Sequence, residues 1–238
     1  MSILFETRHL TKQYKDITAV SDASIHVQQG GIYGLIGKNG AGKTTLLKLV
    51  SGLIRPTGGS VVFRPEETDG GECRIGALIE APGFYPNMTG YENIKVQSLC
   101  LGLRYTKKQT EDLLDLVGLL GAKDRKAKTY SLGMKQRLGI ALSLTGDPEL
   151  LVLDEPINEL DPEGIIEIRN IVRKLNTEKN MTIIVSSHIL DELAKIATHF
   201  CIIHSGKILM EKPREEFLED CGSMPIDEYY MQIIGGAK

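Results

Sequence analysis

The stretch Gly37-Lys38-Asn39-Gly40-Ala41-Gly42-Lys43-Thr44-Thr45 fits the pattern G-x-x-x-x-G-K-[ST] at every fixed position. Upstream, Gly31-Ile32-Tyr33-Gly34-Leu35-Ile36 is an apolar run of strand length; downstream, Leu46, Leu49, Val50 and Leu53 recur at helical spacing. Strand, glycine loop and helix therefore follow one another in the order a phosphate cradle requires. The glycines let the backbone curl so that successive N–H groups and the helix N-terminus face an anion, while Lys43 adds a full positive charge and Thr44 a hydroxyl for Mg²⁺. A nucleoside triphosphate is the ligand class that suits this chemistry.

A second chemical feature lies at Leu150-Leu151-Val152-Leu153-Asp154-Glu155, four apolar residues ending in two carboxylates. The pattern predicts a buried parallel strand with charge at its exit, the place where ligands of open α/β sheets bind. There Asp154 can hold Mg²⁺, through water, and Glu155 can orient or deprotonate a water beside a γ-phosphate. Met181 to Val185 is the next buried strand and delivers Ser186-Ser187-His188 to the same edge, where His188 can donate to the γ-phosphate or to Glu155. Asp161-Pro162 starts a helix with Asp161 as N-cap, Pro162 at its first position, and Ile165, Ile168, Val172 and Leu175 facing inward.

The remaining segments are plainer. Ile3 to Arg8 and Ala23 to Gln28 read as strands with a polar segment between them. That segment carries Tyr14, which can stack on a nucleobase or equally well cap a small sheet. A turn at Arg55 to Gly59, a strand at Ser60 to Phe63, a polar loop through Gly70-Gly71 and a strand at Ile75 to Ile79 follow. Glu80 to Pro86 is irregular because of its two prolines and glycine, and it offers Phe84 and Tyr85 either to a partner or to the chain's own packing. Thr89 to Leu120 has a helical pattern with Leu113, Leu116, Val117 and Leu120 on one face. Tyr130 to Arg137 opens a further helix with Ser131 as N-cap, and its hydroxyl and Gly133 make a second, weaker phosphate signal. His9, His26, His199 and His204 read as structural or solvated, and the segment after Lys212 as helical.

Of the 238 residues 42% are hydrophobic and 25% charged, ordinary for a globular chain with a real core. A net charge of −3 gives no support for a nucleic-acid-binding surface. Cys73, Cys100, Cys201 and Cys221 show no C-x-x-C spacing, so neither a zinc site nor a disulfide framework is indicated, and reduced thiols in a cytosol fit best. No apolar run approaches the ~20 residues of a membrane span and the N-terminus lacks a signal-peptide core, so action at a membrane would be from outside the bilayer.

From Met1 through at least Met210 the order and spacing of these motifs resemble the ATP-binding subunit of an ABC transporter. The resemblance implies a P-loop NTPase fold of the α/β class: a mostly parallel sheet flanked by helices, with an N-terminal antiparallel β-subdomain and an inserted α-helical subdomain. It implies one domain over residues 1–238, with core and β-subdomain at 1–88 and 146–212, the helical subdomain at 89–145 and a helical tail at 213–238. ATP and Mg²⁺ would be the cofactors. Residues Gly37 to Thr45 would bind the phosphates and Tyr14 the adenine; Thr44, Asp154 and Glu80 would face the metal, and Glu155, His188 and Lys43 would serve hydrolysis. Ser131 and Gly133, in the segment Tyr130-Ser131-Leu132-Gly133-Met134 that corresponds to the family's L-S-G-G-Q signature, would bind the γ-phosphate held by an opposite subunit, and Asp161 would join the two sites. Leu132 and Met134 depart from the common form of that signature. Glu80 stands where most of the family has a glutamine, and its setting, Leu78 to Pro86, resembles bacterial exporters that protect against bacitracin or lantibiotic peptides. The resemblance thus implies an ATPase on the cytoplasmic face of a bacterial membrane. It would drive a separate permease and close head to tail with itself or a related ATPase subunit. A soluble ATPase acting on nucleic acid or ribosomes is the alternative; it usually carries two units in one chain or a long inserted coiled coil, and neither is found. A GTPase would need an N-K-x-D segment, which is missing.

Overall fold

The computed structural model describes residues 2–66 and 72–236, and Gly70-Gly71 lies outside them. The chain begins with β1 (Ile3–Tyr14), β2 (Ile17–Ala23), β3 (His26–Gln28) and β4 (Ile32–Ile36), followed by α1 (Lys43–Val50), β5 (Gly58–Phe63) and β6 (Ile75–Leu78). Three helices come next, α2 (Gly90–Cys100), α3 (Lys107–Leu116) and α4 (Leu132–Ser143). The second half alternates: β7 (Leu150–Asp154), α5 (Pro162–Lys179), β8 (Thr182–Ser187), α6 (Leu190–Ala194), β9 (His199–His204), β10 (Lys207–Pro213), α7 (Arg214–Cys221) and α8 (Ile226–Gly236).

Six strands form the main sheet in the order β10-β9-β4-β8-β7-β6. All neighbours are parallel except β10, which runs antiparallel to β9 at the edge. Every residue of β4, β7 and β8 is buried, as a parallel sheet covered on both faces demands. Because successive side chains point to opposite faces, the strands divide their residues between two cores. Ile36, Leu151, Leu153, Ile183 and Val185 join one cluster with Ile94, Leu138 and Leu175 from the helices; Leu35, Leu150, Val152, Ile184 and Ile203 join the other with Leu46 of α1 and Phe5 of β1. Removing such a side chain from water contributes about 1.5–3 kcal/mol each.

A separate antiparallel sheet is built on β1, which pairs with β2, β3 and β5. Here the structure corrects the expectation that the first strand ends at Arg8. Strand β1 runs on to Tyr14 because β2 and β5 saturate its backbone there, so main-chain hydrogen bonding holds a polar, half-exposed segment that no alternation of side chains announces. The helical stretch from Thr89 also divides. Gly102 (φ 72) takes the left-handed region after α2, and Thr106 opens α3 with its own capping box to Gln109, as Thr89 does for α2 with Glu92. Ser131 and Asp161 are the N-caps of α4 and α5, and Pro162 follows at the first position of α5. Among the described residues no helix is long and apolar enough to cross a membrane.

Candidate active site

Strand β4 ends at Ile36 and helix α1 begins at Lys43, so residues 37–42 form the connecting loop. Gly42 caps the helix in the left-handed region (φ 108), where a Cβ would stand 2.4 Å from the carbonyl oxygen of Ala19. No side chain caps α1, which leaves its first N–H groups directed at the cleft. The loop is held from outside by the β9–β10 turn, where Gly206 N–H donates to Ala41 O at 2.9 Å and Ser21 N–H donates to Gly206 O at 2.8 Å. The resulting cleft, of about 390 Å³, is lined by Lys38 to Gly40, Gly42 to Thr45, Glu155, the hairpin residues Ile17 to Ala19, and Ser205-Gly206.

The parallel register brings the ends of β4, β7 and β8 to one edge, with Asp154 opposite Ser186 and Ile36 opposite Ser187. Asp154 is 5% exposed. Its Oδ2 accepts from the Thr44 hydroxyl at 2.7 Å and its Oδ1 from the Ser186 hydroxyl at 2.6 Å. Ser186 Oγ also accepts from the Glu155 N–H at 2.8 Å, so one buried serine fixes both carboxylate-bearing residues. Glu155 itself sits at φ 49, a left-handed backbone that turns its side chain back over the loop. Glu155 Oε1 lies 3.1 Å from Lys43 Nζ without a directed hydrogen bond, and Oε2 lies 2.8 Å from His188 Nδ1. Lys43 Nζ further donates to Gly37 O at 2.6 Å. Lys43 and Glu155 thus neutralise each other, and an anion entering the loop would have to compete with Glu155 for the lysine.

Among the described residues there is no cluster of three or more His, Cys, Asp or Glu side chains able to cage a metal. Thr44 and Asp154, two oxygen donors in contact beside an open phosphate cradle, fit Mg²⁺, which usually takes one or two protein ligands and completes its shell with substrate phosphates and water. Glu80, expected to face this metal, has a cation partner of its own. At φ 65 beyond the end of β6 its carboxylate turns onto Lys48 of α1 at 2.6 Å, and it does not line the phosphate cleft. Lys48, in the last turn of α1, offers the carboxylate this partner on the exposed side. Tyr14 is 46% exposed beside the cleft rather than in it; it pairs with Ile17 across the hairpin, and Lys12 Nζ stands 5.0 Å from its ring centroid.

Ser131, Gly133 and Asp161 come together elsewhere. They line a cleft of about 470 Å³ with Arg137, Glu159 and Leu160, and this cleft has no described lining residue in common with the phosphate cleft. Ser131 Oγ accepts from Met134 N–H at 3.3 Å as the N-cap. Among the described residues a Cβ on Gly133 would meet just Leu160 Cδ2, at 3.9 Å, so none of them requires a glycine there by packing. The sequence-expected residues therefore line two separate clefts on one chain. Residues that the motifs did not reveal are Ile17 to Ala19 of β2 and Ser205-Gly206 of the β9–β10 turn, which line the phosphate cleft from outside the loop, and the Ser186 bridge, whose signal is its place two residues before His188.

The family model described as ABC transporter matches residues 20–158. The bacitracin transport ATP-binding protein BcrA of Bacillus licheniformis is 44% identical over 217 residues, which span 90% of this chain and 71% of that protein. The lantibiotic transport ATP-binding protein SrtF of Streptococcus pyogenes is 43% identical over 210 residues, 88% of this chain and 90% of that protein. Among solved structures, MJ1267, an ATP-binding cassette of an ABC transporter in its ADP conformation, superposes with a TM-score of 0.81 at 25% identity, covering 99% of both chains.

Proposed function

We propose, since this chain belongs to the ABC transporter family, that it hydrolyses ATP to drive a separate membrane permease that exports an antimicrobial peptide or drug. The observation that carries the ATPase is the convergence of Lys43, Thr44, Asp154, Glu155 and His188 at one sheet edge. The export reading rests on the likeness to the bacitracin and lantibiotic transport proteins.

In this reading the N–H groups of residues 40–45 hold the β- and γ-phosphates, and Lys43 leaves Glu155 to meet them. Freed from Lys43, Glu155 accepts the proton of the attacking water, and His188, already within hydrogen-bond distance of it, orients the carboxylate and donates to the γ-phosphate. Thr44 and Asp154 would hold Mg²⁺, which supplies charge stabilisation to the phosphate oxygens when bound. The second half-site, Ser131, Gly133 and Asp161, would complete the phosphate cleft of another copy or a related subunit, a role supported by the room left over Gly133. Tyr14 would take the adenine by exchanging Lys12 for the base on one ring face. We place the protein on the cytoplasmic face of a bacterial membrane and read residues 89–145 as a helical subdomain. Its permease contact would be the groove of about 570 Å³ lined by Gly83, Gln97, Leu101 and Leu103, next to exposed Tyr85 and Leu99.

Purified chain should release phosphate from Mg-ATP, and expression with its permease should raise the concentration of bacitracin or a lantibiotic that cells survive. Absence of phosphate release would end the enzymatic reading; release without any change in survival would end the export reading alone.

A further inference from the structure

The phosphate loop is gripped from a direction no motif indicates. The peptide unit between Gly37 and Lys38 makes a hydrogen bond at each end: its carbonyl accepts from Lys43 Nζ at 2.6 Å, and its N–H donates to the hydroxyl of Tyr230 at 3.1 Å. A trans peptide is planar, with C=O and N–H pointing opposite ways, so partners at both ends resist rotation of the plane. Gly37 is pressed onto β9 as well, since a Cβ there would lie 2.6 Å from Ile203 O. The peptide cannot shift toward the sheet, and Tyr230 opposes its rotation.

Tyr230 is itself firmly placed. It is 5% exposed in the cluster that contains Phe200, Phe217 and Leu193, and burial pushes its phenol above its ordinary value, so it stays protonated and keeps its oxygen as a neutral acceptor. Phe217 lies with its ring centroid 4.4 Å from that of Phe200 of β9, the two planes tilted by 42°, and meets Tyr229 edge-on at 5.4 Å, while Tyr229 Oη donates to Asp220 at 3.1 Å. Helix α8 also packs on α6, which begins two residues after His188. The tail thus leans on both sides of the candidate site.

We propose that Tyr230 is a positioning residue for nucleotide binding: by holding the Gly37–Lys38 peptide it fixes the acceptor on which Lys43 rests and keeps the phosphate cradle in its binding shape. The proposal rests on the ATP-binding reading given above. Its consequence is a division of kinetic effects. A pre-formed cradle strengthens binding because less backbone freedom is lost when ligand arrives, whereas the rate of hydrolysis depends on Glu155 and His188, which Tyr230 does not touch.

Tyr230→Phe removes the acceptor and keeps the ring. We expect KM for ATP and the Kd of a fluorescent ATP analogue to rise about fivefold, the equivalent of one ordinary hydrogen bond, with kcat within about twofold and a melting temperature lowered by no more than about 2–4 °C. Tyr229→Phe, which deletes a hydroxyl from the same helix but bonded to Asp220, should leave KM and Kd at parental values. Parental KM and Kd in Tyr230→Phe would overturn the proposal, as would equal losses in both variants, which would mean general loosening of the tail. A parent chain that binds no ATP would sink the ATPase reading, and the proposal with it; a parent that binds while Tyr230→Phe matches it would refute the tail's role alone.

Discussion

Glu155→Gln tests the resting geometry and the chemistry together. The substitution keeps the shape of the side chain but removes the charge that lies 3.1 Å from Lys43 Nζ and 2.8 Å from His188 Nδ1. The bare attraction across 3.1 Å is about 5 kcal/mol at an effective dielectric near 20. Desolvation offsets most of it, and the contact carries no directed hydrogen bond to add to the remainder. A glutamine retains part of this through its amide oxygen, so about 1.4 kcal/mol is released to nucleotide binding when Lys43 no longer has to leave a carboxylate. That is roughly tenfold tighter ATP binding. Hydrolysis should fall by about 10²- to 10⁴-fold, the usual cost of losing a positioned general base. Titration with a fluorescent ATP analogue reads the first effect and phosphate release the second. Size-exclusion chromatography should show a dimer that persists with ATP, because bound ATP is no longer consumed. A variant that turns over at the parental rate and stays monomeric with ATP would remove Glu155 from the role of base. Slow turnover with unchanged affinity would refute the competition between Glu155 and the triphosphate for Lys43.

Lys43→Ala should weaken nucleotide binding and turnover together, since the charge that meets the β- and γ-phosphates is lost; binding and rate both at parental values would refute the phosphate-loop assignment. Glu80→Gln should keep ATPase activity within about tenfold, because the base lies elsewhere, while raising the Mg²⁺ concentration needed for half-maximal rate, because a carboxylate able to attract the metal is lost. The Lys48 contact does not prevent this, because a pair with a carboxylate 66% exposed is worth only ~0–1 kcal/mol and can yield to a divalent ion. Superimposable Mg²⁺ curves would mean that the carboxylate remains on Lys48 throughout. Ser186→Ala should lower stability to urea by about 1–3 kcal/mol, since it leaves one Asp154 oxygen and the Glu155 N–H without their buried partner. An unchanged denaturation midpoint would show that water replaces the hydroxyl without loss.

The phosphate loop and the paired carboxylates could be read from the chain because their chemistry is written in contiguous residues. Gly37 to Thr45 carries its own turn, cap and charge, and Leu150 to Asp154 is apolar enough to be a buried strand in any register. Strand β10 and the second half of β1 were not legible, since both are half-exposed strands whose state depends on backbone partners supplied by distant segments. The resting partner of Glu80 was hidden for a related reason: Lys48 is 32 residues away, and only the tertiary fold decides whether a carboxylate faces a cation or a metal. Tyr230 is the extreme case, 192 positions from the loop it touches, and nothing in a mixed, amphipathic tail distinguishes the tyrosine whose hydroxyl reaches that loop from its neighbour Tyr229.

The position of β4 in the middle of the main sheet also sets a timetable for the ribosome. This strand emerges early, yet its two neighbours are β8, with Ile32 paired to Ile183, and β9, with Tyr33 paired to His199. About 150 further residues must be made before either edge can close, roughly 8–30 s at ordinary elongation rates of ~5–20 residues per second. Throughout that interval Ile32-Tyr33-Gly34-Leu35-Ile36, entirely apolar and open along both edges, is a template for pairing with any strand nearby. Nascent chains arrested after β7 should therefore bind chaperones that recognise extended apolar segments and should precipitate on release, whereas chains arrested beyond β9 should not.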